Sequence, residues 1–426
     1  MTPLTKISFN KFDEEIHYSR LKNGLDIFII PKSGFKEKTA MLTVDFGSID
    51  KKFTERNRLW DNPEGIAHFL EHRLFEDDLG QDASLKFTEL GSDVNAFTTF
   101  DKTSYYFSTS ENFVESLILL QDLVMSSSFT EDSVNKEKKI IGQEIDMYAD
   151  DADYQAYIGI LQNLFADTSL ADDIAGSKGS INQITPKILK RNYSYFYKPN
   201  NMSLIIVGDV DIGETFTVIE KYQKKYRARK QVERIDDISY NPVVKSSSKS
   251  MEVTNSKLVV GYRGQKIKND ISLLKIKIAL RLAMSMLLGW TSRTYQSWYE
   301  QGKIDDSFDI EIEINSNFSF VLISLDTNQP IGMSSEIRKK IKNCSNSDDF
   351  NQEHFSILKR EMYGDFLQSL DNVEQVASQF NLFLTDQDTY YDIPDILEKI
   401  QLVEVLSIAD NFFKQAEESD FTVFPK

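Results

Sequence analysis

The sequence predicts an α+β fold of two similar domains, each a mainly antiparallel sheet packed against helices. Three observations predict it. Strand-like and helix-like apolar runs are grouped rather than strictly alternating. A serine-rich stretch with Pro242, Asn241–Ser250, interrupts the chain, and the pattern of the first half resumes beyond it. The length of 426 residues suits two or three domains of roughly 150 residues each. The expected boundaries are 1–240 and 251–426, with 241–250 as linker.

The elements follow in order. Asn23-Gly24, a pair suited to a type I′ turn, lies between the runs Glu15–Leu21 and Leu25–Ile30 and predicts a hairpin. Leu42, Val44 and Phe46 alternate with Thr43 and Asp45 as in a strand. A helix is expected from Ile66, then strands at Val94–Phe100 and Thr103–Thr109. Leu117, Leu120 and Val124 have helical spacing, and further helices are expected over Glu131–Ala149 and Tyr154–Phe165. The half closes with a strand at Met202–Val207 and a helix from Gly213. In the second half Leu258–Tyr262, Phe308–Ile314 and Phe318–Leu325 read as strands and Ile271–Leu288 as a helix. Three or four more helices run to about Phe413.

Composition narrows the function. The formal charge of −17 disfavours nucleic acid, since phosphate binding needs clustered Lys and Arg. No run approaches the ~20 apolar residues of a membrane span, and the opening residues lack the apolar stretch of a signal peptide. A soluble, cytoplasmic protein is therefore expected. Cys344 is the single cysteine, so no intrachain disulfide and no cysteine-based metal site can form.

Histidine placement carries the chemistry. Of four histidines (His17, His68, His72, His354), two lie in His68-Phe69-Leu70-Glu71-His72. On a helix, residues three and four apart share a face, so both imidazoles and the Glu71 carboxylate can converge. By chance about 0.003 such arrangements are expected in this chain, so an incidental pattern of surface charges is a poor explanation. The apolar flanks Gly65-Ile66-Ala67 and Leu74-Phe75 place the helix in a core, where unpaired polar groups are costly. This is the inverted zinc motif H-x-x-E-H. A catalytic zinc site needs a third protein ligand. Glu137 and Glu144, two helical turns apart, are the best carboxylate candidates, and composition leaves the choice between them open.

The sequence resembles the insulinase/pitrilysin family of metallopeptidases, in particular its smaller, processing-peptidase-like bacterial members. The stretches that carry the resemblance are Leu21–Leu25, Phe46-Gly47-Ser48, Gly65–His72, Asn95-Ala96-Phe97-Thr98, Glu137–Tyr148 and Tyr197–Val210. They cover the first half in order, and the second half is similar in pattern with weaker motifs. The resemblance implies Zn2+ held by His68, His72 and Glu144, with Glu71 as general base and Glu137 supporting the site from behind the ligands. It also implies that a peptide substrate adds as an extra strand beside Asn95 and Ala96, and that the fold forms one clamshell-like half.

One departure stands out. Complete family sites take an Arg and a Tyr from the second domain to grip the substrate. Here the aligned positions hold Tyr299 and Asp305, and Arg293 and Tyr295 lie too early to substitute. The expectation is a heterodimer, in which a related subunit lacking the zinc motif supplies the Arg/Tyr half. A non-catalytic scaffold subunit is the alternative, and it would predict a degraded zinc motif.

Overall fold

The computed structural model describes residues 3–76, 81–235, 238, 240–267, 272–344, 347–385 and 387–426. Two compact units emerge, interleaved in sequence. One holds Met1–Ile145, Asp172–Asp237 and Ser369–Leu382, and the other Asp146–Ala171, Ile238–Gln368 and Phe383–Lys426.

In the first unit the strands are β1 (Thr5–Phe9), β2 (Glu14–Arg20), β3 (Asp26–Pro31), β4 (Lys38–Val44), β5 (Lys52–Glu55), β6 (Arg58–Asp61), β7 (Ser92–Thr98), β8 (Thr103–Thr109), β9 (Met202–Gly208) and β10 (Glu233–Arg234). Seven of them form one sheet in the order β1-β2-β3-β9-β4-β8-β7, and β10-β5-β6 form a small second sheet. All pairs in the larger sheet are antiparallel except β3 with β9.

The hairpin at Asn23-Gly24 joins β2 and β3, but its turn is not type I′. Gly24 N donates to Leu21 O (2.8 Å) and Leu21 N to Leu25 O (2.9 Å). Gly24 has φ 91° whereas Asn23 keeps a negative φ, so Lys22-Asn23 form a type I turn closed by a glycine bulge. A side chain at Gly24 would also lie 2.4 Å from Asn200 Cβ. The pair with two positive φ angles is Arg56-Asn57 (49° and 63°), which joins β5 to β6.

The central strands are buried on both faces, and this explains the interleaving. Tyr105 and Phe107 of β8 join a core with Phe69, Leu70 and Leu120 from the helices Ile66–Leu74 and Phe113–Met125. On the opposite face Thr39, Thr43, Ser104 and Ser108 are buried as hydroxyl pairs, 2.8 Å for Thr39–Ser108 and 2.9 Å for Thr43–Ser104. The helix Val373–Phe383 covers them: Asn381 Nδ2 donates to Ser104 Oγ (3.1 Å), and Phe380 packs 5.2 Å from Phe28. A helix from the second half of the sequence thus completes the first unit.

The second unit is organised likewise, with β11 (Ser246–Met251), β12 (Ser256–Arg263), β13 (Asp309–Ile314), β14 (Ser319–Thr327) and β15 (Glu417–Pro425) in the order β11-β15-β12-β14-β13. Its sheet is covered by the helix Ala152–Leu164 from the first half, on which Asn163 Nδ2 donates to Asp420 O (2.9 Å). The close approach needs glycines: a Cβ on Gly159 would lie 2.4 Å from the Phe421 ring. The stretch 241–250, expected as a linker, carries most of β11, which pairs in parallel with β15. Its serines conceal the strand because its residues are mostly exposed, so no apolar alternation is needed. The helix expected from Ile271 spans Leu273–Leu288, and Ile271 itself lies outside the described residues. Among the described residues, no helix is long and apolar enough to cross a membrane.

Candidate metal centre

The local sequence places His68, Glu71 and His72 on one helix, Ile66–Leu74, whose apolar residues Ile66, Ala67, Phe69, Leu70 and Leu74 are buried in the core. Gly65 precedes it with φ 81°, and a Cβ there would meet Ala175 O at 2.5 Å, so the helix start is pinned against the backbone. The two imidazole rings lie 4.5 Å apart.

The helix Glu131–Asp150 supplies the facing carboxylates. Glu144 Oε1 lies 3.6 Å from His68 Nε2, and Glu144 Oε2 lies 3.4 Å from His72 Nε2. One ligand atom from each of these three residues falls within 4.8 Å of the others. Tetrahedral zinc with bonds near 2.1 Å separates its ligand atoms by about 3.3–3.5 Å, so the donor set and spacing fit that ion. Glu137, one heptad earlier, points to the other side of the same imidazole: His72 Nδ1 and Glu137 Oε1 are 3.0 Å apart. That bond fixes the tautomer that leaves His72 Nε2 free to bind a cation. Burial disfavours a charged His72, but the Glu137 bond and charge outweigh it, helped by Glu144 and Glu71, and its pKa stands above the usual value.

Two residues that the sequence did not single out complete the arrangement. Thr98 Oγ1, on β7, donates to Glu71 Oε2 (2.5 Å) and holds the carboxylate beside the imidazoles. Alternation along the Asn95–Thr98 run, which puts Thr98 on the same face as Ala96, was the signal that could have found it. Arg73, 2% exposed, pairs with Glu76 and lies 4.0 Å from Glu137 Oε2, while its Nη2 donates to Ser128 O (3.2 Å). No pattern in the sequence distinguishes it from a surface arginine.

Asn95 and Ala96 lie on β7, the edge of the larger sheet. Asn95 is exposed, and its Oδ1 accepts from Ala96 N (2.8 Å). In the second unit Tyr299 is 53% exposed and stacks 6.1 Å from Tyr295, whose ring also packs against Phe308. The side chain of Asp305 accepts from Ser307 Oγ and, at 3.0 Å, from Ser307 N, bonds that hold its pKa below the usual value. Arg293 lies 3.4 Å from Asp348. His17 and His354 are engaged elsewhere, with Glu15 and Thr291.

Because Glu137 fixes the His72 ring, Glu137→Gln should weaken Zn2+ binding by about 10–100-fold with the fold retained. Competition with a fluorescent chelator would measure it, and unchanged affinity would remove Glu137 from the site.

Comparison with known proteins agrees with this picture. Residues 36–178 match the family model described as insulinase (peptidase family M16), and residues 183–362 match that of the M16 inactive domain. The chain is 34% identical over 408 residues to the uncharacterised zinc protease YmfH of Bacillus subtilis, covering 94% of this chain and 95% of that one. It is 25% identical to the zinc protease PqqE of Helicobacter pylori, over 95% and 91% of the two chains. An M16-like peptidase from Alicyclobacillus acidocaldarius superimposes with a TM-score of 0.89 at 28% identity, covering 97% and 99%. The fold also matches part of the periplasmic protease PqqL of Escherichia coli, with a TM-score of 0.71 at 19% identity, over 95% of this chain and 47% of that one.

Proposed function

Because this chain belongs to the insulinase family of peptidases, M16, we propose that it is a zinc-dependent endopeptidase acting on extended peptides. The observation that carries this reading is the convergence of His68, His72 and Glu144 within 4.8 Å, with Glu71 on the same helix face. His68, His72 and Glu144 would hold the ion, which supplies a Lewis acid for the scissile carbonyl and lowers the pKa of a nearby water. Glu71, oriented by Thr98, accepts the proton of the attacking water and delivers it to the leaving amine. The open edge of β7 pairs with the substrate main chain, exchanging the Asn95–Ala96 bond for one to the incoming strand.

The site is completed by a second, related subunit. Tyr299 and Asp305 supply no cation for a developing oxyanion, and Asp305, ionised, would oppose one. The PqqL match, in which this chain covers about half of the longer protein, supports a two-half assembly. Purified, zinc-loaded chain should therefore cleave an unstructured peptide pool about 10²–10³-fold more slowly than the complex with its partner. Brisk cleavage by a monomer, lost in Glu71→Gln, would overturn the divided site and keep the peptidase. A chain that binds no Zn2+ would overturn both.

A further inference from the structure

In a chain with 66 acidic and 49 basic residues, five of the seven residues Lys224-Lys225-Tyr226-Arg227-Ala228-Arg229-Lys230 are basic. This run borders a cleft of about 360 Å³ in the first unit, whose lining includes Asp45, Tyr195, Lys198, Asn200, Arg229 and Arg234. Its charges are unequally matched. Arg234 is spent on Asp45 (3.1 Å), Asp50 (3.4 Å) and Asn201 Oδ1 (3.1 Å), and burial pushes the Asp50 carboxyl up to about 7, so the guanidinium is matched chiefly by Asp45. Glu55 accepts from Tyr195 Oη and lies 3.7 Å from Arg56.

Lys198 and Arg229 remain. The Lys198 ammonium has no carboxylate within ion-pair distance among the described residues. Burial, and then the neighbouring Arg229 charge, hold its pKa below the usual value. Arg229 donates Nη1 to Ser194 O (2.6 Å) and stacks 4.7 Å over the Tyr195 ring, with no carboxylate partner among the described residues. Its backbone is fixed from both sides, Arg229 N donating to Asn200 Oδ1 (3.0 Å) and Asn200 Nδ2 to Arg229 O (2.8 Å). Two like charges therefore line one cleft, and among the described residues neither is paired with a carboxylate. Such repulsion is relieved by a bound counter-charge, and two positive charges call for a dianion.

We propose that this cleft binds a small phosphate-bearing anion, gripped by Lys198 as a point charge and by Arg229 through its guanidinium fork. Binding of inorganic phosphate to the full chain would be measured by titration calorimetry at constant ionic strength, with sulfate as a second dianion. Saturable binding of one phosphate per chain is expected, at least tenfold weaker in Lys198→Met and in Arg229→Met. Arg229 is exposed, so its variant tests the site even if Lys198→Met folds poorly. Equal binding in the folded variants, or a response that does not saturate, would overturn the assignment. The readout does not depend on peptidase activity.

Discussion

Glu71→Gln should abolish the proposed peptide hydrolysis while leaving Zn2+ binding in place. Glutamine preserves the volume of the buried side chain (9% exposed) but cannot accept the proton of the attacking water. Loss of general acid–base function costs typically 10²–10⁴-fold, and in the proposed mechanism both proton transfers fall on Glu71, so the upper part of that range is expected. Metal content is the necessary control, because Glu71 is not among the three residues whose ligand atoms converge. Glu144→Gln should behave differently, losing the ion and activity together. The pair is read by mass spectrometry of the intact metal complex beside peptide-pool cleavage in the proposed assembly with a second subunit. If Glu71→Gln retains more than about a tenth of the activity, another group is the base.

Arg73→Met should produce a large loss of stability. Arg73 is 2% exposed and sits between Glu76 and Glu137, itself 6% exposed. Removing it strands carboxylates that, among the described residues, have only Lys136 (3.5 Å from Glu76) and His72 (3.0 Å from Glu137) as ion-pair partners in its place. Breaking one partner of a buried ion pair costs about 3–5 kcal/mol. In a unit of this size, that lowers the melting midpoint by roughly 6–20 °C. Thermal denaturation followed by circular dichroism measures it, and a shift below about 2 °C would show that Arg73 is dispensable. Arg73→Lys should recover part of the loss, since it restores charge without the donor to Ser128 O.

Much of the site was legible in the chain because its geometry is local. Residues three and four apart on a helix share a face whatever surrounds them, so His68-Phe69-Leu70-Glu71-His72 specified two imidazoles and a carboxylate together. The strands Lys38–Val44, Thr103–Thr109 and Met202–Gly208 were visible as short runs rich in β-branched, aromatic and other apolar residues, nearly all of which are buried. The final strand, Glu417–Pro425, was not read as one: its first half is polar, and it is held by pairing with β12 and β11.

Tertiary structure decided what depends on distant partners. Glu137 and Glu144 lie on one helix about 10 Å apart along its axis, and nothing between them says which meets the histidines. The docking of that helix brings Glu144 to Nε2 of both rings and Glu137 to Nδ1 of one. Likewise a division near residue 240 follows from composition, yet Ala152–Leu164 and Val373–Phe383 each serve a sheet from the other half of the sequence. An amphipathic helix declares that it must cover an apolar face. Which face it covers is settled only when the chain folds back, because that choice rests on close contacts such as Gly159 on Phe421 and Asn381 on Ser104.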